Sequence, residues 1–391
     1  MTLALLQASA FDLARRVHRH KSNATLTASL QSALPDLITL LYKSPERPNT
    51  SIPGRTPTSK KMANLTYKNK LAIASVSLGM LATHSLPDKI LAASRNNFSG
   101  IEIVYSDLEA WCTIQSLPLI AGAHSIRGLC KTHNLTILSL APFKNFEAHI
   151  SPLSARLGTA KYWLEIAQAL GATYLQVPSQ FDTENCIDGE ELAVRELQAL
   201  ADLASEFGVN IAYEAVAWGE CIATWQDSLR VIKKVNRANF GMCWDAFHVL
   251  ALIWGDCTVS SGKIEGGDAA LKKSLGELVG VLKGEDAEKI FYVQLSDGEF
   301  YDPPLERGHR FWVEGVDSRL VWSRNTRPFP LESEIGGYLP IGEVFRAILA
   351  EGGFKGWVSL EVFDWRLREG QFMPEDAAQR GWKSWIELNK N

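Results

Sequence analysis

Four short runs of this sequence each carry a hard oxygen ligand near their end. VNIAYEAVAW (209–218) carries Glu214, and FGMCWDAFH (240–248) carries Asp245, with His248 three residues further on. KIFYVQLSDG (289–298) carries Gln294, and GWVSLEVFDW (356–365) carries Glu361. Each run is rich in β-branched and aromatic residues, which reads as a strand. A bare carboxylate buried in a strand costs several kcal/mol unless it is paired, protonated or bound to a cation. One such Glu usually finds a Lys or Arg; four at the same place on successive strands call for a shared reason. Oxygen donors converging on one point suit an octahedral divalent ion with positions open for water or substrate. Mg²⁺ or Mn²⁺ fits, with Co²⁺ as a third choice, whereas zinc prefers more His or Cys. The D-x-x-H spacing makes His248 a further ligand or a catalytic base.

The elements that must position these residues follow a regular alternation. Strand-like runs fall at 71–78, 100–105, 135–141, 172–178, 209–218, 240–245, 290–296 and 357–363. Helical patterns fall at 87–96, 155–170, 190–207, 225–235, 268–283, 340–350 and 375–388. Gly171, Gly208 and Gly353 stand where helices should stop. Eight βα units predict a single-domain (β/α)8 TIM barrel. Its active site would lie at the C-terminal ends of the strands, where all four ligands converge. A doubly wound open sheet is the other architecture, but no G-x-G-x-x-G follows the first strand; Ser77-Leu-Gly79 is not that motif. The boundary of the catalytic domain is placed at 66/67, so that 67–391 is barrel and 1–66 is an N-terminal extension.

Residues 1–61 have a different composition, rich in Ser, Thr, Leu and Arg with few acids, and 44–61 is Pro/Ser/Thr-rich. This predicts disorder. Arg15, Arg16 and Arg19 also allow a basic targeting helix, and Met62 offers an alternative start. The net charge of −4 argues against nucleic acid as the main partner. None of the six cysteines forms a C-x-x-C pair, which fits a reduced, cytoplasmic setting. No apolar run reaches membrane-spanning length. A homo-oligomer is compatible with everything in the sequence. The long segment 299–338 holds five arginines together with Trp312 and Trp322. In a barrel it lies over the mouth, either as a lid for a small anionic substrate or as a surface flap or oligomer contact.

The runs GIEIVY (100–105), APF with Glu147 (141–147), WLEIAQALGATYLQVPSQF (163–181), YEAVAWG (213–219), WDAFH (244–248), VQLSDGE (293–299) and SLEVFDW (359–365) resemble the sugar-phosphate isomerase/xylose isomerase-like barrel superfamily. Within it, YE-x-x-AWG, WD-x-x-H and Q-L-S-D resemble the fungal 3-dehydroshikimate dehydratases of quinate catabolism. The likeness covers about 70–388. It implies metal ligation by Glu214, Asp245, Gln294 and Glu361, with His248 as proton carrier. Some bacterial relatives place a second His two residues after the first Glu ligand; here that position is Val216.

The implied chemistry is loss of water from a ring that has a ketone, an acidic α-hydrogen, a β-hydroxyl and a carboxylate, giving aromatic protocatechuate. A divalent ion would stabilise the enolate, and His248 or Glu102 would move protons. Arg156 would hold the carboxylate, with Lys144 or an arginine of 299–338 behind it. Gln176 and Ser179 would bind hydroxyls. A sugar isomerase or epimerase on the same barrel, using Glu214 and Glu361, is the nearest alternative. A non-catalytic binding barrel is the second, and a repair endonuclease lacks the extra histidines it would need.

Overall fold

The computed structural model describes residues 65–390. The expectations for 1–61, an unstructured extension or a targeting helix, lie outside these residues. The chain alternates β1 (Leu71–Ala74), α1 (Leu86–Arg95), β2 (Gly100–Val104), α2 (Tyr105–Ile114), α3 (Leu119–Thr132), β3 (Thr136–Ala141), α4 (Leu153–Leu170), β4 (Tyr174–Pro178), α5 (Glu190–Glu206) and β5 (Asn210–Glu214). It continues with α6 (Trp225–Val235), β6 (Phe240–Asp245), α7 (Ala246–Ile253), α8 (Gly267–Lys283), β7 (Ile290–Leu295), α9 (Ser318–Asn325), β8 (Thr326–Arg327), α10 (Ile341–Phe345), β9 (Trp357–Leu360), β10 (Phe363–Asp364) and α11 (Pro374–Leu388). Strands β1 to β7 and β9 close a parallel barrel, while β8 and β10 form a separate antiparallel pair. The expected TIM barrel is the fold.

The strands are short and buried on both faces, as an all-parallel sheet requires. Outside the barrel, a large apolar layer joins strands to helices. Inside it, a small plug of Ala72, Leu138, Ala212, Cys243 and Tyr292 fills the floor, with small residues making room for the Tyr292 ring. The site is therefore confined to the opposite, C-terminal end. Local signals set the helix starts: Ser85 and Thr224 accept hydrogen bonds from Asp88 and Asp227 N–H as N-caps. No helix among the described residues is long and apolar enough to cross a membrane.

Three strands end earlier than their apolar pattern implied. Ser75–Leu78 is a 3₁₀ turn, because Ser75 and Ser77 Oγ accept the Val104 and Val362 N–H groups. After Glu214, Val216 N–H turns to Ser179 Oγ, so 215–218 leaves the barrel as a loop. Glu361 lies one residue past β9. The segment 299–338 is packed in place rather than being a loose flap. Asp297 accepts from Gly298, Leu331 and Leu339 N–H, which ties its two ends together. Trp322 is fully buried and donates to Glu299 O.

Candidate metal centre and active-site cavity

Glu214 and Asp245 are the last residues of β5 and β6. Asp245 Oδ1 accepts Phe247 N–H at 2.7 Å and caps α7, which fixes the carboxylate. His248, one turn on, places Nε2 3.6 Å from Asp245 Oδ2 and 3.8 Å from Glu214 Oε1. One ligand atom of each of these three residues lies within 4.8 Å of the others. Glu214 Oε1 is buried with no hydrogen-bond partner among the described residues. Burial, reinforced by the Glu361 and Asp245 carboxylates, pushes the Glu214 carboxyl well above the usual range. Burial likewise pushes Glu361 to about 8, against the pull of the Arg327 cation. Three acids thus crowd one buried point with a single fixed cation among them. An unpartnered oxygen beside clustered hard donors fits a divalent cation, which would neutralise the excess charge.

Arg327 is that fixed cation, and its central place was not legible among the five arginines of its segment. Nη2 meets Asp245 Oδ2 at 2.6 Å and Nη1 lies 3.5 Å from Glu361 Oε2. Nε donates to Ser296 Oγ at 2.9 Å, and the guanidinium lies over the Phe247 ring. The β8–β10 pair, which registers Arg327 against Phe363, is what delivers it.

The structure sorts the remaining sequence candidates. Glu361 lines the cavity and joins the cluster through Arg327. Gln294 is paired with Asp245 in register. Its amide, however, donates to Glu102 at 3.0 Å, and its oxygen takes the Cys243 thiol at 3.2 Å. Gln294 thus stands beside the close trio of Glu214, Asp245 and His248, in register with Asp245 and within reach of Glu361. Glu102 differs from its expected role as a proton-transfer partner. Its carboxylate accepts from Ser139, Tyr292 and Gln294 beneath the site and does not line the cavity. Gln176 does line it, donating to Glu214 Oε2. Ser179 does not; its hydroxyl holds the turn after β5.

Arg156 also departs from expectation. Its guanidinium makes a two-pronged pair with Glu196 of α5 (2.6 and 2.8 Å) and donates to Phe146 O and Ser151 O. It is buried, outside the cavity, and four of its five N–H donors are engaged, so it does not face a substrate carboxylate.

The cavity holds about 660 Å³ above the cluster. One wall is Tyr105 stacked on Trp163 at 4.2 Å with Phe143 beside them; the other includes Trp218 and Phe181. Lys144, Arg324 and Arg368 line it as well. Arg368 braces α9 through Asn325 Oδ1 and Arg324 O. The side chains of Lys144 and Arg324 make no hydrogen bond or ion pair with any described residue. A cavity with aromatic walls and cations free of hydrogen bonds suits a planar anion.

His248 has a defined protonation state. Ala217 N–H donates to Nδ1 at 3.0 Å. A neutral ring that accepts on one nitrogen carries its hydrogen on the other. Nε2–H therefore lies on the side of the carboxylates, 3.6 and 3.8 Å from their oxygens and outside hydrogen-bond distance. Burial keeps the ring neutral, pushing its pKa down to about 4 despite Asp245.

The family model of the xylose isomerase-like TIM barrel matches residues 90–388. The chain belongs to the xylose isomerase-like TIM barrel family. A 3-dehydroshikimate dehydratase of Neurospora crassa is 36% identical over 338 residues, which are 82% of this chain and 93% of that protein. A 3-dehydroshikimate dehydratase of Pseudomonas aeruginosa is 30% identical over 75% of this chain, but the match spans only 38% of the bacterial protein. A solved xylose isomerase-like TIM barrel/4-hydroxyphenylpyruvate dioxygenase fusion protein superposes with a TM-score of 0.61 at 26% identity. It covers 81% of this chain and 42% of that one.

Proposed function

We propose that the chain is a 3-dehydroshikimate dehydratase, a hydro-lyase that removes water from 3-dehydroshikimate to give protocatechuate. The observation that carries this reading is the 36% identity to the Neurospora enzyme along 93% of its length. The cavity is consistent with it. The substrate ring lies between the Tyr105–Trp163 stack and Trp218, and Arg324 takes its carboxylate in place of Arg156. Gln176 reaches a ring hydroxyl. Glu214, Asp245 and Glu361, with His248 beside them, would hold a divalent ion, Mg²⁺ or Mn²⁺ by the hardness of the donors, which would supply Lewis-acid polarisation of the ketone. Gln294 is held by Glu102 as a neighbour of this cluster.

A neutral-sugar isomerase would use the same acids, but it gives no role to the unpaired Arg324 and Lys144 in the cavity wall. The intact acid cluster likewise argues against a purely binding barrel.

Ultraviolet absorbance of the aromatic product tests the reading. Purified protein with Mn²⁺ and 3-dehydroshikimate forms product, and ketoses are left unchanged; the reverse pattern would establish the isomerase instead. In the same assay Arg324→Gln raises KM about 10–100-fold with little change in kcat, the loss of a charge-assisted hydrogen bond worth roughly 1.5–3 kcal/mol. An unchanged KM would remove Arg324 from the carboxylate site.

A further inference from the structure

The reaction needs a group to take the α-proton, and the residues expected to do so are occupied. Val216 has no base. Glu102 is closed off beneath the site by three hydrogen bonds. His248 presents Nε2–H, because Nδ1 is already taken by Ala217 N–H. Glu214, Asp245 and Glu361 form the cation cluster. Tyr105 has its phenol pushed up by burial, so it stays protonated.

Lys144 is the remaining basic nitrogen in the cavity wall that is not a guanidinium. Its loop is pinned on both sides. Phe143 N–H donates to Gln176 O at 2.9 Å. Glu147 accepts Gln180 N–H at 2.6 Å and Tyr213 O–H at 2.7 Å. Phe146 between them is fully buried. The lysine is therefore held over the cavity by a rigid loop, with no partner among the described residues. Its side chain is exposed on the cavity side, and the wall residues around it only partly desolvate it. This desolvation lowers its pKa, the Arg324 cation lowers it further, and Glu361 opposes them. Arg327, Arg368 and Glu214 are the other charged groups lining the same space.

We infer that Lys144 is the catalytic base, taking the α-proton and returning it to the departing hydroxyl. This rests on the dehydratase reading. The α-C–H bond breaks, Nζ gains the proton, and the electron pair forms the enolate. That pair then makes the new C=C bond as the β-C–O bond breaks, and the Lys144 ammonium protonates the oxygen, which leaves as water. The lysine ends neutral and no co-reactant is consumed; tautomerisation of the resulting dienone, which loses a ring CH2 proton and gains one on the ketone oxygen, completes the aromatic ring. General-base catalysis of this kind contributes about 10²–10⁴-fold.

Lys144→Met and Lys144→Arg, assayed beside wild type with Mn²⁺, test this. Both variants lose about 10²–10⁴-fold in kcat with KM changed only a few-fold, since a guanidinium cannot give up its proton at working pH. Added methylamine restores part of the rate to a Lys144→Ala variant. In D₂O, proton NMR shows α-proton exchange of the substrate with wild type and none with Lys144→Met. If Lys144→Arg keeps kcat within about threefold and only KM rises, Lys144 is an anion contact and the inference is overturned. If wild type itself forms no product, the dehydratase reading has failed, and the cause does not lie with Lys144.

Discussion

Glu214→Gln abolishes product formation and at the same time raises the melting temperature of the metal-free protein. The two effects share one cause. Glu214 is buried, its Oε1 has no hydrogen-bond partner among the described residues, and the Glu361 and Asp245 carboxylates face it. Without a cation, burying these acids costs either like-charge repulsion or the uptake of protons that raises their pKa, and the neutral amide removes that cost at Glu214. With a cation the same repulsion becomes attraction, so removing the charge removes a principal ligand. Loss of several kcal/mol of Lewis-acid stabilisation corresponds to a rate loss of about 10³-fold or more. Thermal unfolding in EDTA, with calorimetric titration of Mn²⁺, reads both effects. A variant that is less stable in EDTA, or that keeps wild-type Mn²⁺ affinity, contradicts the cluster as described. A gain in stability with a loss of function is the signature of a site built against the fold's own preference.

Arg156→Met is the opposite case, a large loss of stability with the chemistry intact. Removing the arginine leaves the Glu196 carboxylate buried and unpaired, with only Arg156's former neighbour, Ala148 N–H, still donating to it at 2.7 Å. Breaking such a pair costs about 3–5 kcal/mol. The double variant Arg156→Met, Glu196→Met recovers much of this, because the orphaned charge is gone. Urea unfolding measures the cost. Activity per folded molecule, and KM above all, stays at the wild-type value. A raised KM without destabilisation would return Arg156 to the substrate site.

The barrel was legible because its signal is repeated. Each strand is a short apolar run with a helix pattern between it and the next, and the acids at the strand ends sit at the same height by construction. Strand ends were less legible, since Ser75–Leu78 alternates like a strand and only the Val104 and Val362 N–H partners across the mouth make it a turn. Arg156 reads as the exposed start of a helix; the partner that buries it lies 40 residues away. Arg327 is one of five arginines in a segment without periodicity, and a two-residue strand pairing decides that it, rather than Arg307 on the surface, reaches Asp245. The reading of His248 as a base turned on a backbone N–H that no side-chain pattern reveals. Residue types announced the chemistry; the hydrogen bonds that leave a group free or occupied decided which residues can perform it.

Metal removal and replacement in the product assay tests the central claim most directly. Wild-type protein stripped with EDTA forms no aromatic product from 3-dehydroshikimate, and Mn²⁺ or Mg²⁺ at one equivalent per chain restores it. Full activity in EDTA, with no divalent ion bound by elemental analysis, would contradict the account of Glu214, Asp245 and Glu361 as a cation site.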